Sequence, residues 1–73
     1  MSRIEIRSEI RGSVISIDAA LGDALAEDDP VITVLSMKME IPVPAPFAGR
    51  LAEILVEEGD DVGVLQVVAI LET

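Results

Sequence analysis

Gly12-Ser13-Val14-Ile15-Ser16-Ile17, closed by Gly22-Asp23, has a counterpart in Gly49-Arg50-Leu51-Ala52-Glu53-Ile54, closed by Gly59-Asp60. The offset is 37 residues (49 minus 12). At that offset Val14 meets Leu51, Ile17 meets Ile54, Leu25 meets Val62, Val31 meets Val68 and Val34 meets Leu71. Apolar positions fall on apolar positions, and both Gly-Asp pairs coincide. Glycine followed by aspartate reads as a turn, because glycine reaches positive φ without strain. An internal repeat outranks local propensity as a guide to fold. The chain therefore reads as two similar β units related by a pseudo-two-fold axis.

Working outward, Arg3-Ile4-Glu5-Ile6-Arg7 alternates charged and apolar residues, the period of a half-buried strand. Val14–Ile17 alternates again. Ala19–Glu27 would suit a helical turn by composition, but Gly22 and the repeat argue against one. Asp28-Asp29-Pro30 reads as a turn, and Val31–Leu35 is a β-branched strand. In Glu40-Ile41-Pro42-Val43-Pro44 every second residue is a proline, which cannot donate to a ladder, so this piece reads as an edge or a loop. Gly49–Val56, a short piece from Val62, and Val67–Leu71 complete the strands. The 73 residues allow one domain, residues 1–73.

Between the two units stands Ser36-Met37-Lys38-Met39-Glu40. Lys38 is the only lysine, and apart from Met1 the only methionines flank it. There is no histidine and no cysteine. That removes disulfides, thiolate metal sites and the commonest general base. Lys38 is then the one strong nucleophile available for covalent chemistry. A short connection between strands is a surface hairpin, well suited to displaying an amine. Flexible, polarisable methionines suit an adaptable contact surface.

Fourteen acidic residues against five basic ones give a formal net charge of −9. Such a field repels phosphate, so nucleic acid and anionic membranes are poor partners. The acidity serves solubility or docking to basic surfaces. The start, Met1–Arg7, lacks an apolar signal-peptide core, and no apolar run approaches the ~18 residues of a membrane span. The expectation is a cytoplasmic protein. Asp28-Asp29 and Asp60-Asp61 read as solvated turns and not as metal ligands. With no acid–base constellation beyond scattered carboxylates, the chain does not read as an enzyme in its own right.

At Met37-Lys38-Met39 the sequence resembles the biotinyl domains, the carrier modules of biotin-dependent carboxylases. The resemblance covers nearly the whole chain. It takes in Gly12, Val14, Ile17, Gly22 and Asp23, then Ala45-Pro46-Phe47-Ala48-Gly49-Arg50-Leu51, Gly59-Asp60-Asp61-Val62 and Ile70-Leu71-Glu72. In length the chain is similar to the stand-alone biotin/lipoyl attachment proteins of bacteria. The resemblance implies an all-β fold, a flattened barrel (barrel-sandwich hybrid) of two four-stranded antiparallel sheets. The lysine would sit on an exposed turn and the termini would meet at the other end. It implies a carboxyl carrier with biotin amide-linked to Lys38, and recognition through Ser36, Met37, Met39 and Glu40. The implied partners are a biotin protein ligase, a biotin carboxylase and a carboxyltransferase.

The chain departs from that pattern at a few positions. Leu35 and Ser36 stand where the family usually has an acidic residue and alanine. Asp28 and Leu65 replace a second glycine in each half. Leucine is strained at positive φ, so the turn at Leu65 is expected to have changed shape. Two rivals remain: a lipoyl carrier on the same fold, with lipoate on Lys38, and an unmodified binding module. Methionine on both sides of the lysine favours biotin over lipoate.

Overall fold

The computed structural model describes residues 2–73. Eight strands follow in order: β1 Arg3–Arg7, β2 Gly12–Ile17, β3 Ala24–Leu25, β4 Pro30–Ser36, β5 Met39–Pro44, β6 Gly49–Ile54, β7 Asp61–Val62 and β8 Val67–Glu72. There is no helix among the described residues. Two four-stranded antiparallel sheets form, one in the order β1-β8-β6-β3 and the other β5-β4-β2-β7.

The repeat read from the sequence is the symmetry of the fold. Adding 37 carries β2 onto β6, β3 onto β7 and β4 onto β8, and sets β1 against β5. One sheet order becomes the other under that operation. The hydrogen bonds between elements repeat as well. Gly22 N–H donates to Leu51 C=O at 2.8 Å, and Gly59 N–H donates to Val14 C=O at 2.8 Å. Asp18 N–H donates to Val31 C=O, and Leu55 N–H to Val68 C=O, both at 2.9 Å. The buried pairs obey the same offset: Ile6 with Val43, Val14 with Leu51, Ala19 with Val56, Val31 with Val68, Ile32 with Ala69 and Val34 with Leu71. These aliphatic side chains interlock between the two sheets and form the core.

Each short strand sits in the sheet dominated by the other half. β7 pairs with β2, and β3 pairs with β6. Neither half therefore completes a sheet alone. Gly22 and Gly59 hold φ of 87° and 94° in the two Gly-Asp turns. The following aspartates close them: Asp23 Oδ2 accepts from Ala20 N–H and Asp60 Oδ2 from Glu57 N–H, each at 2.9 Å.

One expectation needs correction. The turn at Leu65 has kept its shape. Leu65 holds φ 66° and its counterpart Asp28 holds 74°. The turns are clamped on both sides: Asp28 N–H donates to Ala45 C=O at 2.9 Å, and Leu65 N–H to Ser8 C=O at 2.7 Å. Those bonds, with the Asp29 and Gln66 side chains accepting from Ala26 and Gly63 N–H, impose the conformation whatever the side chain. The expected pair of four-stranded antiparallel sheets is present, open at its sides. The two sheets stack as a flattened sandwich, and β1, β3, β5 and β7 remain edges. Edge pairing is discouraged by other means: β3 and β7 are two residues long, β5 carries Pro42 and Pro44, and β1 exposes Arg3, Glu5 and Arg7.

Candidate functional site

β4 is rich in β-branched residues, and its alternate positions Ile32 and Val34 face the core. β5 pairs beside it in continuous register: Val34 opposite Ile41, Leu35 opposite Glu40 and Ser36 opposite Met39. Only Met37 and Lys38 are left to form the loop. Their φ angles are 50° and 68°. Positive φ at both central positions is the mark of a type I′ turn, whose twist matches that of the flanking strands. Neither residue is glycine, so each costs about 1 kcal/mol or more in this region. The long β4–β5 pairing holds the turn against that cost.

The five sequence-predicted residues are thus brought together on one hairpin. Lys38 and Glu40 are exposed and Ser36 is half-buried. Met37 is 93% exposed and Met39 63%. Neither methionine folds back onto the core. Lys38 makes no ion pair among the described residues, whereas Arg3 is bound to Glu53 and Glu72, and Arg7 to Glu5. The arrangement presents one free primary amine on a short stiff arm. An acyl group needs such an amine and no enclosing pocket. The cavity of about 420 Å3 lies between β1 and β5, lined by Ile6, Ile10, Ile41 and Val43 among others, and the loop does not line it.

The root of the hairpin depends on a residue that sequence reading took only as a strand start. A Cβ on Gly12 would lie 2.2 Å from Leu35 O, and one on Gly49 would lie 2.7 Å from Glu72 O. The glycines allow β2 and β6 to meet the ends of β4 and β8 at close range. Their coincidence in the repeat was the available signal. The termini occupy the place that the offset relates to the hairpin. Ser2 and Thr73 exchange two backbone hydrogen bonds, of 3.3 and 2.9 Å. No group of three or more carboxylates among the described residues is arranged to hold a metal ion, and no helix is long and apolar enough to cross a membrane.

These features define a small β carrier unit that displays a lysine. A family model described as "Biotin-requiring enzyme" matches residues 5–71, and the chain belongs to that biotin/lipoyl family. The chain is 34% identical over 67 residues to a "Biotinylated protein TB7.3 homolog" of Mycobacterium leprae, covering 92% of this chain and 94% of that one. It superposes on the Kluyveromyces lactis urea carboxylase with a TM-score of 0.94 and 32% identity, covering 99% of this chain and 6% of that one. It also superposes on the lipoyl domain of the 2-oxoglutarate dehydrogenase complex from Azotobacter vinelandii, with a TM-score of 0.76, 25% identity and 96% of each chain covered. Against the urea carboxylase the chain corresponds to a small part of a much longer protein.

Proposed function

We propose that this chain is a biotin carboxyl carrier that accepts biotin on Lys38. The observation that carries the reading is the sole lysine, free of ion pairs among the described residues, at the second position of an exposed two-residue loop between methionines. Likeness over almost its whole length to a protein named as biotinylated supports biotin over lipoate.

In this reading a biotin protein ligase supplies the biotin carboxyl group activated as an acyl-adenylate. The Lys38 ammonium gives a proton to a base on the ligase, and Nζ attacks the acyl carbon. The C–N bond forms as the C–O bond to AMP breaks. One positive charge is lost from a chain whose formal net charge is −9. Biotin held on Lys38 would supply the chemistry of carrying a carboxyl group. The protein's own part is to tether and to be recognised. Tethering raises the effective concentration of the carried group at a biotin carboxylase and then at a carboxyltransferase. Met37, Met39, Ser36 and Glu40 are the recognition residues at the tip. The chain catalyses nothing alone and works beside its enzymes in the cytoplasm.

The test is acylation in vitro with a bacterial biotin protein ligase, biotin and MgATP, followed by intact mass and peptide mapping. A biotin-sized adduct on Lys38 is expected. Lys38→Arg should fold with an unchanged thermal midpoint and gain no mass. A lipoyl-sized adduct formed with lipoate ligase, and none with biotin ligase, would replace biotin with lipoate. Biotin on the Lys38→Arg protein would refute the acceptor assignment.

A further inference from the structure

In each sheet the two central strands come from one half of the chain and both edge strands from the other. β8 and β6 are flanked by β1 and β3, and β4 and β2 by β5 and β7. The halves are held to each other by strand pairing and by the shared core. Their one covalent link is Met37-Lys38. At the place the repeat makes equivalent, Ser2 and Thr73 are joined by hydrogen bonds alone. There is no cysteine to add a disulfide. The single link is also a strained one. Met37 and Lys38 hold φ of 50° and 68°, and both are exposed, so neither gains packing in return. A short, strained connection between two complementary pieces invites exchange of those pieces between copies.

The register of the hairpin shows what the exchanged form looks like. Leu35 stands opposite Glu40 and Ser36 opposite Met39. Carried one step further between two copies, that register sets Met37 of one opposite Lys38 of the other. The ladder then runs unbroken from one unit into the next, and the loop residues take extended backbone. We propose that two copies of this chain exchange halves through Met37-Lys38, residues 39–73 of each completing residues 2–36 of the other. Every contact within the exchanged units is one that the single chain already makes. Two terms set the balance. A short link holds the chain's own halves together at an effective concentration on the order of millimolar. Strain lowers that figure by roughly tenfold for each left-handed residue. Concentrated refolding therefore reaches the exchange, and salt favours it by screening two chains of formal charge −9. Exchange moves Lys38 from a hairpin tip to the middle of a strand that joins two units. The dimer thus withholds the amine from an enzyme that must close over the tip, a consequence that rests on Lys38 being the acceptor.

The experiment uses a chain carrying both Leu35→Cys and Glu40→Cys, at directly opposed positions of β4 and β5. Opposed residues of antiparallel strands are close enough for a disulfide. The chain is unfolded in urea, refolded at millimolar concentration in salt and oxidised with diamide. Exchange yields a covalent dimer closed by two interchain disulfides, whereas refolding at high dilution should yield intrachain bonds alone. Adding Met37→Asn and Lys38→Gly, which suit a type I′ turn, should cut the covalent dimer roughly tenfold or more. Intrachain bonds alone after concentrated refolding would overturn the exchange. An undiminished dimer with Asn-Gly in the loop would overturn the role given to strain. Dimer and monomer of the parent chain are then separated and offered to one biotin ligase, and the dimer should show a kcat/KM roughly tenfold lower or less. Equal rates would refute the withholding. If the monomer takes no biotin on Lys38, the acceptor reading falls and the withholding with it, while the exchange is judged by the cross-link.

Discussion

Leu65 holds a left-handed backbone with its side chain 60% exposed, so it bears the strain and gains little burial in return. Glycine would relieve that strain, at the cost of more freedom in the unfolded chain. The net gain for Leu65→Gly should be about 0.5–1 kcal/mol. In a chain this short that is a rise of several degrees in thermal midpoint. Asp28 has the same conformation, but aspartate tolerates it better than leucine. Asp28→Gly should therefore gain less, and the two melting curves should separate in that order. A fall in midpoint for Leu65→Gly would mean that the leucine makes packing contacts worth more than the strain. Leucine gives no signal of positive φ in a sequence, and this is why the turn was expected to change. The bonds that impose it come from Ser8 and Ala45, distant in sequence and brought close only by the fold.

At the scale of elements, glycines do two different jobs. Gly22 has φ 87° and nothing within 4 Å of an added Cβ, so substitution there meets strain and no collision. Gly12 has no positive φ, but an added Cβ would press on Leu35 O and on Val34 Cγ1 at 2.8 Å. Gly12→Ala should force β2 away from β4 and cost about 1–3 kcal/mol, as other overpacked sites do. Gly22→Ala should cost about 1–2 kcal/mol. Both are read as lower urea midpoints at similar slope. The distinguishing sign is local. Gly12→Ala should weaken amide protection along Val34–Ser36, while Gly22→Ala should leave it intact. Equal protection in the two variants would refute the close-approach account. The long strands were legible because alternation and β-branching persist over five or more residues. The edge role of β5 was legible from its prolines. β3 and β7 have two residues each, too few for any period; a short strand was legible at Val62, while β3 was hinted at only by the match of Leu25 to Val62. The hairpin was legible from one lysine and its setting. The surface around it was not, because Ser13, Leu35 and Glu40 become neighbours only through strand register.

For the whole molecule, the pseudo-two-fold axis makes the hairpin and the chain ends equivalent places. Met37 and Lys38 join Ser36 to Met39, a directly paired position of β4 and β5. The offset carries Ser36 to Thr73 and Met39 to Ser2, and those two residues already exchange both hydrogen bonds. A two-residue link is therefore the length that the geometry asks for, and Asn-Gly is the pair that suits a type I′ turn. A circular permutant that joins Thr73 to Ser2 through Asn-Gly and opens the chain between Met37 and Lys38 should fold. Its far-ultraviolet spectrum should match that of the parent, and it should unfold in one cooperative step. Stability should drop modestly, because the opened hairpin loses its turn while the new one lacks the strain of Met37 and Lys38. The same interlocking that permits this forbids the opposite operation. A fragment ending at Met37 lacks β5 and β7 from one sheet and β6 and β8 from the other, so it should remain unfolded until mixed with residues 38–73. Recovery of the β spectrum only in the mixture would establish that each half completes the other. A folded first half alone, or a permutant that stays unfolded, would show that the symmetry of the hydrogen bonds is not the symmetry of the stability.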